Sequence, residues 1–211
     1  MREIRAALVL IFAVFLATSC AKIPPTHYYV LRGPEVEPSG DARVPAVATV
    51  GVAGIDVAPP YDQGRIVYRV GDGDPEVGFY AYHRWAAPLS TMLPGLVADT
   101  LDDSLGAEIE PYRSGAGHDA VLSGRLLMLE EVDRPEDQRI RVRLALSLEG
   151  AGGDPMWSGV VTSEVTIQTT EVDDVVRAME RALREAVRNA RDPLRVALGQ
   201  PSRSGSGESA P

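Results

Sequence analysis

The chain has 211 residues, 45% hydrophobic and 24% charged, with 21 Lys+Arg against 30 Asp+Glu and a formal net charge of -9. That is the length of one domain with apolar content for a real core, and the chain is too hydrophobic to be disordered throughout. The acidic balance argues against nucleic acid as a partner, and a lone cysteine excludes both an internal disulfide framework and a cysteine-based zinc site.

The N-terminus carries an address. Arg2 and Arg5 make a short basic start, Ala6–Ala17 is an apolar run, and Thr18 and Ser19 put small residues before Cys20. The run is about twelve residues, or ~18 Å as helix, short of the roughly twenty residues of a spanning helix. These three parts read as a secretory signal peptide over residues 1–19. Leu16-Ala17-Thr18-Ser19-Cys20 resembles the bacterial lipobox, in which the cysteine thiol receives a diacylglyceryl group and becomes residue one. Cys20 is the expected lipidation site, and the acyl chains are expected to anchor the protein stably. Ala21 and Lys22 follow, with no Asp to favour the inner membrane. The expected location is therefore periplasm-facing and anchored to the envelope, at the outer membrane rather than the inner.

Residues 20–45 hold the lipidated cysteine, a stiff tether with Pro24-Pro25, and a first strand within Thr26–Leu31. Residues 46–199 read as the folded domain. Ala46–Val57 is a Val- and Gly-rich buried strand. Arg65–Val70 and Val77–Tyr82 flank Gly71-Asp72-Gly73-Asp74-Pro75, a hairpin signature. From Trp85 the apolar spacing changes to three and four, through Leu89, Met92, Leu93, Leu96, Val97 and Leu101, which predicts a helix with Pro88 in its first turn. Pro94 is expected to kink it.

Ala107–Arg113 is a candidate strand, and a meander follows. Ala120–Val132 turns into Gln138–Leu148, where Ile140, Val142, Leu144, Leu146 and Leu148 share one face and Arg139, Arg141 and Arg143 the other. Met156–Thr169 alternates in the same way. Glu171–Leu198 carries one apolar helical stripe, with Asp192-Pro193 expected to break its last part. Residues 200–211 are Gly/Ser-rich and polar, a disordered tail by composition. The fold class is α+β: a two-layer domain, an antiparallel or mixed sheet with two amphipathic helices packed on one face. The arginine side of Gln138–Leu148 implies that the other sheet face is at least partly wet.

A search for chemistry finds no catalytic residue. His27, His83 and His118 have no metal-ligand spacing, and no hydrolase, zincin or phosphate-loop motif is present. His118-Asp119 has no identifiable nucleophile to orient. Gly51-Val52-Ala53-Gly54 lacks the dinucleotide fingerprint, and Asp72-Gly73-Asp74 reads as a turn rather than a calcium loop. No cofactor and no metal are expected.

One stretch is more specific. Val57-Ala58-Pro59-Pro60-Tyr61-Asp62-Gln63-Gly64-Arg65-Ile66-Val67-Tyr68-Arg69 leads into the hairpin, and His83-Arg84-Trp85-Ala86-Ala87-Pro88-Leu89 follows it. Together with the lipobox and Pro24-Pro25-Thr26-His27-Tyr28-Tyr29-Val30-Leu31, this resembles the ABC-type transport auxiliary lipoprotein family from Cys20 to about Leu198. The resemblance implies a lipoprotein subunit of a mammalian-cell-entry (MCE) type lipid transporter, including the paraquat-inducible kind. It implies an MCE-domain protein and an ABC permease and ATPase as partners, a phospholipid-like cargo, and no catalytic residues. Tyr61, Arg65, Arg84 and Trp85 are the candidate partner-binding residues, because Tyr and Arg are enriched at interfaces and Trp85 lies at the junction of hairpin and helix. Self-association through the arginine-rich sheet face is a further expectation. The alternative reading is an outer-membrane assembly or cell-wall-regulating lipoprotein on a similar small α+β domain, since such folds host unrelated functions.

Overall fold

The computed structural model describes residues 24–31, 48–102, 105–134, 138–169 and 171–199. The expected signal peptide, Cys20 and the C-terminal tail lie outside the described residues. In chain order the elements are β1 (His27–Tyr29), β2 (Thr49–Val57), β3 (Arg65–Arg69), β4 (Gly78–Trp85), α1 (Leu89–Leu101), β5 (Glu108–Pro111), β6 (Ala120–Val132), β7 (Gln138–Gly150), β8 (Pro155–Ile167), α2 (Val172–Asn189) and α3 (Arg191–Gly199).

Alternating apolar positions build the centre of the sheet. β6, β7 and β8 pair antiparallel over nearly their full lengths, with Leu122 opposite Leu148 and Leu126 opposite Leu144. Ile140, Val142, Leu144, Leu146 and Leu148 are all buried on one face of β7. A one-residue slip would turn every one of them outward, so the hydrophobic pattern fixes the register.

β6 is the spine. Its far edge takes two strands in series. β2 pairs parallel with its first half, from Val50–Ala120 to Val57–Leu126, and β3 pairs parallel with its end, at Tyr68–Glu131 and Arg69–Val132. Between them residues 58–64 leave the ladder and return, starting with an Ala58 N–H bond to the Leu126 carbonyl at 2.9 Å. β5 adds parallel to β2, β4 antiparallel to β3, and β1 parallel to β4. The eight strands form one mixed sheet. Parallel neighbours need long crossovers, and the hairpin and α1 supply them.

The helices cover one face. α1 buries Leu89, Leu93, Leu96, Val97 and Leu101 against β2 and β5. α2 buries Val175, Met179, Leu183, Ala186 and Val187 against β7 and β8, and touches α1. This is the expected two-layer α+β domain, with α3 as a short third helix whose Leu194 and Ala197 are buried.

Two local boundaries differ from expectation. Trp85 ends β4 instead of opening the helix. The Ala86 N–H still bonds the Tyr29 carbonyl (2.7 Å), so strand pairing runs on until Pro88 admits the first turn. α1 runs through Pro94 to Leu101, as the apolar spacing predicts. The last helix breaks at Ala190, ahead of Asp192-Pro193, and Pro193 lies in the first turn of α3, where a missing N–H costs nothing.

Candidate functional site

Two acids interrupt the apolar end of β6, Leu129-Glu130-Glu131-Val132. Neighbouring strand residues face opposite sides, so the two carboxylates point to opposite faces of the sheet. Glu131 stands opposite Ile140 on the helix side, and Glu130 opposite Arg141 on the outer side. Both are 0% exposed.

On the outer side Glu130 is wrapped by donors. Tyr61 Oη donates to its Oε2 at 2.7 Å, Arg69 donates from Nε and Nη2 at 3.2 Å, and Arg141 Nη2 donates to Oε1 at 2.7 Å. Burial alone would push the carboxyl pKa up. The Arg69, Tyr61 and Arg141 hydrogen bonds outweigh it and hold the group below the usual carboxylate range. The network continues outward. Arg141 Nη1 reaches Asp72 at 2.6 Å, Arg139 also donates to Asp72, and Arg139 Nη1 reaches Glu164 at 3.2 Å. The hairpin tip is thus clamped onto the arginine face of β7.

On the helix side Glu131 meets neutral partners. Tyr80 Oη donates to Oε2 at 2.5 Å and Gln138 Nε2 to Oε1 at 2.7 Å. Burial pushes its pKa up, these bonds oppose the shift without cancelling it, and the neighbouring Asp133 charge adds to it. Glu131 lies in the wall of a cavity of about 680 Å³ with Tyr80, Asp133, Arg134, Gln138 and Thr169, beside the first turns of α2. Tyr80 is itself driven above its ordinary pKa by burial and the Glu131 bond, so it stays a proton donor at physiological pH.

A third cluster ties the first strand down. Tyr29 Oη donates to Asp173 Oδ1 of α2 at 2.7 Å, so it accepts the Nδ1 proton of His83, also at 2.7 Å. Burial and the Asp173 carboxylate raise the Tyr29 pKa to about 12. His27 stacks on His83 with ring centroids 5.1 Å apart. Burial, with His27 nearby, lowers the His83 pKa against the opposing pull of Asp173.

The residues singled out in the sequence separate into two pairs. Tyr61 and Trp85 are each 5% exposed, and both belong to the core. Their side chains hold the fold and leave little surface for a partner. Arg65 and Arg84 face each other across β3 and β4 on the outer side, Arg65 exposed and Arg84 half-buried. The Arg65 guanidinium carbon lies 5.9 Å from the centroid of the Phe79 ring, at the limit of a cation–π contact. Cys20 lies outside the described residues. His118 is buried, accepts the Arg113 N–H at Nε2 (3.2 Å) and lies 3.1 Å from Glu110. Gly51 makes room for it, because a Cβ there would come within 2.7 Å of the imidazole. Among the described residues no three or more His, Cys, Asp or Glu are grouped to hold a metal ion.

The family model for the ABC-type transport auxiliary lipoprotein component matches residues 29–190. The chain belongs to this family. For this auxiliary lipoprotein, two solved structures give the fold. An uncharacterised protein superposes with a TM-score of 0.63 at 15% identity, covering 81% of this chain and 99% of its own. Protein XCC0632 from Xanthomonas campestris superposes at 0.59 with 22% identity, covering 82% and 94%. No curated protein matches the auxiliary lipoprotein. No helix among its described residues is long and apolar enough to cross a membrane.

Reading the sequence alone passed over Glu130, Glu131, Tyr80, Arg69 and the Tyr29–Asp173 link. A signal existed for the glutamates. Two acids that close the run Leu126-Leu127-Met128-Leu129 cannot both face water in a strand covered on one side.

Proposed function

We propose that the chain is a lipid-anchored, non-catalytic adaptor of an envelope transport system of the MCE type, fixed by acyl chains at Cys20 and working with an MCE-domain protein and an ABC permease and ATPase. The observation that carries the reading is the family match over residues 29–190. The site chemistry supports it. Each buried carboxylate on β6 is already held by fixed side-chain donors, and a group so engaged anchors structure. The expected phospholipid-like cargo, the outer-membrane address and self-association belong to the same reading. Arg65 and Arg84 are the members of the partner-binding set that remain at the surface.

Two labels test it in envelopes. Radiolabelled palmitate is expected to enter the wild-type protein and to be lost in Cys20→Ala. Equal incorporation in both removes the anchor. Bifunctional crosslinking of intact envelopes is expected to join the chain to a subunit of the transporter, and capture of cell-wall enzymes instead would favour the alternative reading.

A further inference from the structure

The outer face of the sheet has an unusual corner at the strand nearest the N-terminus. Tyr28 and Arg84 are register partners and point to the same side, because they alternate with Tyr29 and Trp85, which face the helices. The β3–β4 register shifts between Phe79 and Arg84, and past that irregularity Tyr82 precedes the helix-facing His83 and stands exposed beside Arg84. Arg65 joins them as the register partner of Arg84. Tyr28 is 66% exposed, Tyr82 40%, and Val30, one residue beyond β1, 49%. Two tyrosines, a valine and two arginines thus share one exposed surface. Two nearby acids, Asp56 at the end of β2 and Asp62 in the loop after it, line a separate crevice with Arg125, Pro88 and Ser90.

This corner lies where the chain enters the fold. Tyr29 bonds α2 through Asp173, bonds His83, and accepts the Ala86 N–H at its carbonyl, so β1 is fixed to the body. His27 is the seventh residue after Cys20, and seven residues at full extension reach no more than ~25 Å. A body anchored at Cys20 keeps this edge within that reach of the bilayer. The partner chemistry agrees: tyrosines settle at the headgroup level, and arginines lay apolar stems on the surface while their guanidinium groups reach phosphate.

We infer that the Tyr28–Tyr82–Arg84–Arg65 surface is the membrane-facing surface of the anchored protein, seated on the phosphate layer of the bilayer that holds its lipid. This rests on the Cys20 anchor proposed above. It orients the molecule: the outer sheet face at β1 and β4 meets lipid, and α1 and α2 point away from it. An otherwise acidic body approaches an anionic surface through its basic corner.

The lipidated full-length protein, reconstituted in phosphatidylethanolamine–phosphatidylglycerol vesicles, tests the inference. The acylated Cys20 sulfur is blocked, so an introduced cysteine is the sole free thiol. Fluorophores are placed at Tyr82→Cys, at Tyr28→Cys, and at Arg181→Cys on the exposed side of α2. Headgroup-nitroxide lipid is expected to quench the first two several-fold more than the third. Arg65→Gln with Arg84→Gln is expected to narrow that ratio while flotation with vesicles and the thermal melt stay unchanged. Equal quenching at all three sites in floating protein overturns the surface and spares the anchor. Loss of flotation overturns both. Shielding of position 82 that arises only when envelope proteins are added gives the surface to a protein partner and overturns the inference.

Discussion

Glu130 and Glu131 are consecutive, equally buried and chemically identical, yet their pKa values move in opposite directions. The difference lies in what each face of the sheet offers. The outer face brings two guanidinium groups and a phenol to Glu130, while the helix face brings only a phenol and an amide to Glu131, with Asp133 close by. Burial alone does not set the charge state of a carboxylate. The charge of its donors does. The outer face thus uses its carboxylate as a rivet between β3, β6, β7 and the loop after β2, whereas the helix face leaves its carboxylate more readily protonated in a cavity wall.

The largest expected break in this contrast is Glu130→Ala. It strands Arg69, Arg141 and Tyr61 around a void, at a cost of about 3–5 kcal/mol in urea unfolding. Glu131→Gln keeps a polar group of the same shape and is expected to cost about 1 kcal/mol, one hydrogen bond. Equal costs would show that the guanidinium groups are not what distinguishes the faces.

Tyr61→Phe comes next. It removes a donor to a charged acceptor, worth about 1.5–3 kcal/mol, whereas Tyr80→Phe loses a bond to a more easily neutralised one, worth about 1 kcal/mol. Thermal melts of the two variants at pH 7 check the order.

pH sharpens the comparison through its sign. Glu130 titrates below 4.5 in the folded chain, so its contribution is complete above that pH and is lost as pH falls toward the folded value. Glu131 titrates above 4.5, so its contribution is complete below that pH and is lost as pH rises through the folded value. Urea midpoints measured against pH are expected to lose their acid limb in Glu130→Gln and the decline above pH 4.5 in Glu131→Gln. The smallest effect is expected at the first strand. Tyr29→Phe costs about 1 kcal/mol and speeds hydrogen exchange in β1 with the centre of β7 unchanged.

The parts of the fold carried by local pattern were legible. β7 alternates without exception, the α2 stripe is continuous, and Gly71–Pro75 marks a turn. The parts that depend on partners far along the chain were not. Nothing near Val50 announces a parallel pairing with Ala120, because the hydrophobic period is the same whichever way a neighbour runs. Trp85 fits a helical spacing as well as the end of a strand, and the Ala86–Tyr29 bond between distant segments decides the matter. Tyr61 looked like contact material by residue type. Its role comes from Glu130, 69 positions away. Arg65 and Arg84 carry the same residue-type signal for contact, and in the fold Arg65 is exposed and Arg84 half-buried.

Affinity purification of the tagged, lipidated chain from gently solubilised envelopes, followed by mass spectrometry, tests the adaptor claim most directly. The account predicts that an MCE-domain protein and its ABC subunits co-purify in amounts comparable to the bait. Recovery of the chain alone, or with peptidoglycan enzymes in their place, would contradict it.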